Sequence, residues 1–271
     1  MPLASMQRRY SVEQRLHRAE QLAAQWPFSA EVLRTYRFIL QFQQSLSIVL
    51  KKSKLNGRSH QRLPQNLDLS PLLLEFRSLL GSAIASAPQE LARAAQQVAS
   101  SDSDHWLESA NACWNNCDPQ TSPIEAFLLH VALQPVAEHF AVNAEISMAQ
   151  ARTPLCPFCG RKPVCGILRP EGDGARRSLL CSFCSTEWDY RRLICPACEQ
   201  EEIDNLPVYT AEEFAYIRIE ACDLCKAFIK TVDLTKDGRA IPVVDEIASL
   251  PLTLWAESNA YRKVQRNILL M

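Results

Sequence analysis

Glycine is scarce, with seven in 271 residues. Only Gly57 and Gly81 precede residue 150. With so few turn-permissive positions and no apolar/polar alternation, the first half favours helix over sheet. An excess of one charge is missing too. Lys plus Arg number 29 and Asp plus Glu 30, a formal net charge of −1. That balance offers no basic footprint for nucleic acid or an anionic membrane. Long apolar runs are also lacking. The longest uncharged stretch, residues 38–50, has 13 residues, whereas a membrane span needs roughly 20. No apolar segment follows Arg8 and Arg9, because Glu13, Arg15, Arg18 and Glu20 occupy its place. The expectation is a cytoplasmic protein without a targeting signal. The five histidines form no spaced ligand set, and there is no H-E-x-x-H, Gly-rich phosphate loop or G-x-S-x-G. No catalytic residue is assigned, and a non-enzyme is expected.

Apolar residues are abundant, at 47%, enough for a sizeable core and too many for a disordered chain. Residues 1–152 read as a helical bundle. Ser11 and Gln14 form a capping box. Ser29 is placed to cap a long helix to about Lys54, and Ser70-Pro71 opens another to about Ser86. A shorter helix follows Pro88, and one more is expected over 104–115. Ser122-Pro123 with Glu125 starts a last helix to about Met148, apolar nearly all round and therefore central. Pro135 is expected to kink it.

The other abundance is cysteine: 11 residues, nine of them from Cys156 onward. In a reducing compartment these are thiols or metal ligands rather than a disulfide framework. Eight form C-x-x-C pairs: Cys156/Cys159, Cys181/Cys184, Cys195/Cys198 and Cys222/Cys225. Each pair presents two thiolates from one tight turn, and two pairs close a tetrahedral cage. Eight thiolates therefore make two sites. Pairing first with second and third with fourth leaves inner loops of 21 and 23 residues, which suits two successive ribbons; interlocked pairing is the alternative. Cys156-Pro157-Phe158-Cys159-Gly160 is a complete knuckle turn, while the second and fourth pairs keep neither proline nor glycine. Four sulfurs suit zinc or a single rubredoxin-type iron. A closed cage leaves no position for water, which speaks against Lewis-acid catalysis. Strands are expected over 163–168, 177–181, 215–221 and 227–234, with a closing helix over 244–256 bent at Pro251.

The chain resembles the formate dehydrogenase accessory protein FdhE family at a string of positions. These are Leu155-Cys156-Pro157-Phe158-Cys159-Gly160, Leu180-Cys181-Ser182-Phe183-Cys184-Ser185-Thr186-Glu187-Trp188, Ile194-Cys195-Pro196-Ala197-Cys198 and Glu220-Ala221-Cys222-Asp223-Leu224-Cys225-Lys226. The tail Val244-Asp245-Glu246-Ile247-Ala248-Ser249-Leu250 continues the match. The resemblance implies an α+β protein: an N-terminal all-α helical bundle followed by two small rubredoxin-like or zinc-ribbon-like metal modules. The corresponding domains are 1–152, 153–190 and 191–271, the last with a C-terminal helix. It further implies a maturation factor that binds the formate dehydrogenase catalytic subunit, with iron at the eight cysteines. A rubredoxin-like electron carrier and a nucleic-acid-binding zinc ribbon are the alternatives. The latter fits poorly with 15 basic against 17 acidic residues from 153 onward.

The remaining candidates favour structural readings. Cys165 reads as a small buried residue of a hairpin, and Cys113 with Cys117 as packing residues on one helical face. Trp188 is either an anchor for a partner or a lock between modules. Arg191 and Arg192 read as a solvated basic pair. Lys51, Lys52, Lys54, Arg58 and Arg62 read as a solvated helix end rather than a phosphate site. His130 and His139 read as core histidines.

Overall fold

A computed structural model describes residues 10–52, 61–65, 67–116, 122–142, 144 and 153–271. Cys117, Lys54 and Arg58 lie outside the described residues, as does the expected helix end at Met148.

Among the described residues, six α-helices form the first half: α1 Val12–Gln25, α2 Ala30–Lys52, α3 Leu73–Ser86, α4 Gln89–Ala99, α5 Ser103–Trp114 and α6 Pro123–Val142. The capping box is present. The Gln14 amide donates to Ser11 Oγ at 3.2 Å, and the Ser11 amide donates to Gln14 Oε1 at 2.8 Å. Ser29 does not cap α2. It ends a 3₁₀ turn, Pro27–Ser29, and its hydroxyl donates to the Trp26 carbonyl at 2.8 Å. The turn runs directly into the helix, so no extended cap residue separates them. Ser70 likewise starts a 3₁₀ turn before α3 and makes no side-chain cap. Asp102 caps α5 through the His105 amide, at 2.7 Å. Helix α6 buries 13 of its 20 residues, Pro135 among them, and packs against α2, α3, α4 and α5.

The second half is built on seven strands: β1 Pro163–Glu171, β2 Gly174–Cys181, β3 Glu187–Asp189, β4 Val208–Thr210, β5 Ile217–Ala221, β6 Ala227–Asp233 and β7 Arg262–Lys263. The strand order is β3-β2-β1-β6-β5-β4, with β7 also paired to β6. Neighbours are antiparallel except β1 with β6 and β6 with β7. The two modules thus share one sheet, joined where Gly166, Ile167 and Leu168 face Thr231, Val232 and Asp233. A Cβ on Gly166 would run into the Thr231 side chain, so glycine permits this approach.

The closing segment is two helices, α7 Pro242–Ala248 and α8 Leu250–Ser258. They divide at Ser249, ahead of the expected bend. Pro251 lies in the first turn of α8, where a missing amide donor costs nothing. Helix α7 packs on β1, β6, α1 and α2. Its Asp245 is fully buried and accepts from Arg18 of α1, at 3.0 Å from Nε to Oδ2, and from the Tyr216 hydroxyl at 2.7 Å.

Candidate metal centres

The four pairs lie at corresponding places. The first precedes β1, the second joins β2 to β3, the third lies between β3 and β4, and the fourth joins β5 to β6. In each pair the amide of the first cysteine donates to the carbonyl five residues on. Cys156 donates to Arg161 at 2.8 Å, Cys181 to Thr186 at 2.9 Å, Cys195 to Gln200 at 3.0 Å and Cys222 to Ala227 at 2.9 Å. The residue after the second cysteine is left-handed in all four: Gly160 (φ 74°), Ser185 (53°), Glu199 (60°) and Lys226 (55°). The complete C-P-x-C-G turn and its reduced versions therefore make the same knuckle. Where glycine is missing, Ser185, Glu199 and Lys226 take the same left-handed backbone.

These turns bring the first pair to the second and the third to the fourth. The sulfurs of Cys156, Cys159, Cys181 and Cys184 all lie within 4.8 Å of one another, and so do those of Cys195, Cys198, Cys222 and Cys225. Close edges are 3.5 Å for Cys156–Cys184, 3.3 Å for Cys159–Cys181, and 3.7 Å for both Cys195–Cys225 and Cys198–Cys222. A regular tetrahedron of sulfurs about 2.3 Å from a metal has edges of about 3.8 Å. All eight are free thiols, far beyond disulfide contact. The donor sets fit a tetrahedral thiophilic ion. Amides also point at sulfur: Phe183 to Cys181 and Ala197 to Cys195, each at 3.4 Å. At Cys222, burial pushes the thiol pKa up, but the amides of Cys225 and Leu224 together with the Cys225 and Cys198 thiols outweigh it and the net shift is downward. This is the direction that favours a thiolate ligand.

The environments differ. The first cluster is inside the molecule. Cys156, Cys181 and Cys184 are buried, and burial pushes the Cys156 thiol up strongly. The residues before the second cysteines, Phe158 and Phe183, are also buried. Phe183 packs against Trp114 of α5 and His130 of α6, with ring centroids 6.0 and 5.1 Å away. The Arg161 guanidinium lies 3.5 Å over the Phe183 ring and donates to the Cys113 carbonyl. The Phe158 carbonyl accepts from the Leu63 amide at 2.9 Å. The first knuckles are thus docked on the helical domain. At the second cluster the corresponding residues are Ala197 and Leu224, both exposed, and Cys198 itself is exposed. Its support comes from the tail. Tyr261 donates to Asp223 at 2.8 Å, and Arg262 donates its amide to the Lys226 carbonyl at 2.7 Å. The hydrogen bonds from Lys226 and Tyr261 hold the Asp223 carboxyl below its usual range.

Of the remaining candidates, Cys165 is fully buried in β1 and Cys113 is buried in α5. Trp188 is fully buried in β3 and donates to the Thr153 carbonyl at 2.9 Å, so it faces no partner. Arg191 and Arg192 are exposed, Arg191 pairing with Glu201 at 3.3 Å. Arg62 is exposed. Sequence reasoning missed Arg161 and the difference between the two clusters. The signal was present as phenylalanine against alanine or leucine before the second cysteines.

Comparison with known proteins gives a consistent result. A model described as FdhE, central domain, matches residues 155–192, and one described as FdhE, C-terminal domain, matches 193–270. A Protein FdhE homolog from Aquifex aeolicus (strain VF5) is 30% identical over 266 residues, covering 94% of this chain and 93% of that protein. A Protein FdhE homolog from Pseudomonas aeruginosa is 33% identical over 154 residues, 52% of this chain and 48% of that protein. The crystal structure of the FdhE protein from Pseudomonas aeruginosa shares the fold, with a TM-score of 0.72 at 24% identity, covering 96% of this chain and 95% of that one.

Proposed function

Because the chain belongs to the FdhE family, we propose that it is a non-catalytic factor that binds the catalytic subunit of formate dehydrogenase and is needed to assemble active enzyme. The observation that carries this reading is the pair of four-sulfur cages on that family's fold. In this reading Cys156, Cys159, Cys181 and Cys184 hold one ion and Cys195, Cys198, Cys222 and Cys225 the other. With all four coordination positions taken by protein, neither ion has an open site for substrate water. The ion, iron or zinc, would supply folding energy, of the order of 10–16 kcal/mol for a structural thiolate site. Residues 1–152 form the helical domain, 153–190 and 191–271 the two modules, and the protein works in the cytoplasm.

The test is anaerobic co-purification. The metal-loaded chain used as bait is expected to recover the dehydrogenase catalytic subunit from an extract that contains it; its absence from the eluate would sink the reading. The exposed Cys198 favours a second reading, an electron carrier, because a solvent-facing sulfur allows electron transfer to a docked partner. That reading requires iron and a reversible one-electron couple. A colourless, zinc-only protein from anaerobic preparation would remove it.

A further inference from the structure

Beside the second cluster, and independent of the accessory role, lies a cavity of about 100 Å³ between β4, β5, β6 and the third knuckle. Cys195 and Pro196 form part of its wall. A cavity of roughly 150 Å³ holds benzene, so this volume suits about four or five heavy atoms.

Its lining holds more guanidinium than carboxylate. Three guanidiniums line it, from Arg177, Arg192 and Arg218, against the single carboxylate of Glu220. Arg177 is 3% exposed. Its Nη2 lies 2.6 Å from Glu220 as an ion pair and its Nη1 donates to the Arg191 carbonyl at 3.2 Å, but neither its buried Nε nor its Nη2 has a hydrogen-bond partner among the described residues. Arg218 holds the other Glu220 oxygen at 2.7 Å. Arg192 at the mouth has no ion-pair partner among the described residues. Arg177 and Arg218 grip Glu220 from either side, at 2.6 and 2.7 Å, so its carboxylate is already taken and offers nothing to Arg192. The remaining wall is apolar, with Leu206, Val208, Phe228 and Val264 facing the same space.

A surplus of fork-shaped donors beside an apolar wall is the recognition chemistry of an organic carboxylate. We propose that this cavity binds a small aliphatic carboxylate, its oxygens held by Arg192 and the free donors of Arg177 and its carbon end on Val208 and Phe228. The ligand then lies against the backbone of the third knuckle, so its presence bears directly on the second cluster.

The experiment is calorimetric titration of the full-length, metal-loaded protein with propionate, and separately with inorganic phosphate. Saturable one-to-one binding of propionate is expected, with phosphate weaker by about tenfold because it cannot use the apolar wall. Arg192→Leu, at an exposed position, should weaken propionate binding about tenfold or more, one charge-assisted contact, with metal content and thermal midpoint unchanged. Val208→Trp, at a half-exposed rim position, should narrow the mouth and give a similar loss by a different route. No saturation with propionate overturns the proposal. Tighter binding of phosphate than propionate overturns it as well, since the ligand is then an inorganic oxyanion. If Arg192→Leu instead alters only the alkylation rate of Cys198 and propionate never binds, the arginines are counter-charges for the sulfur cage and the proposal fails. None of these outcomes depends on whether the dehydrogenase subunit is recovered.

Discussion

At each knuckle one residue bears a left-handed backbone, and only Gly160 does so without a side chain. For a side-chain-bearing residue this conformation costs about 1–2 kcal/mol. Ser185, Glu199 and Lys226 together therefore cost roughly 3–6 kcal/mol. That is well below the 10–16 kcal/mol or so that one structural thiolate site contributes. This margin explains why the complete C-P-x-C-G turn is dispensable at three of four places. A Cβ on Gly160 would meet nothing within 4 Å, so only its backbone is at stake. Gly160→Ala should cost about 1 kcal/mol in denaturant unfolding of the loaded protein, with the metal content of the first site intact. His130 provides a second residue-scale test. Burial foremost, with Arg161 adding to it, lowers its pKa to about 4. The folded protein therefore binds this proton less readily than the unfolded chain, whose histidine titrates near 6.5. Between those values the unfolded state holds more protons, so stability falls as pH drops from about 6.5 to about 4. Replacing His130 with Leu should flatten the part of the stability profile that it governs. The comparison with wild type separates this effect from proton competition at the cysteines.

Between elements, the two clusters have unequal protection. Knuckles one and two bury Phe158 and Phe183, the latter against Trp114 and His130 of the helices, whereas knuckles three and four present Ala197 and Leu224 to solvent. Metal release by a chelator should accordingly be biphasic. The phase in which Cys195, Cys198, Cys222 and Cys225 become alkylatable should come first, as read by mass spectrometry of labelled peptides. Simultaneous labelling of all eight would contradict this order. A similar contrast holds for helix starts. The Ser11–Gln14 box was readable because both partners sit within one turn. Ser29 was misread as a cap because Pro27 commits the chain to a 3₁₀ turn, and Ser29 is already helical when α2 begins.

Across the molecule, the helical domain is bound to the metal-bearing half by Arg18 and Asp245, side chains 227 positions apart. Arg18 is buried and also donates to Tyr216 at 3.1 Å, with Asp237 3.8 Å away. Burial disfavours the charged guanidinium, but Asp245 more than compensates and the net shift of Arg18 is upward. Arg18→Met would leave the Asp245 carboxylate in the interior with only the Tyr216 hydroxyl and the Ile241 amide. Breaking such a pair costs about 3–5 kcal/mol. In calorimetry the wild type should unfold in one transition and the variant in two, with the helical half melting earlier. An unchanged profile would show that the pair does not couple the halves.

The local spacing of residues was enough to give the helical first half, the four cysteine knuckles and their main strands, because helix periodicity, capping and C-x-x-C turns depend on neighbours a few positions apart. It could not reveal that β1 and β6 merge two modules into one sheet, that Trp188 is interior, or that one cage is sheltered and the other faces solvent. Those outcomes depend on partners such as Gly166 with Thr231 and Phe183 with Trp114, which no periodicity links and which only the packed chain brings together.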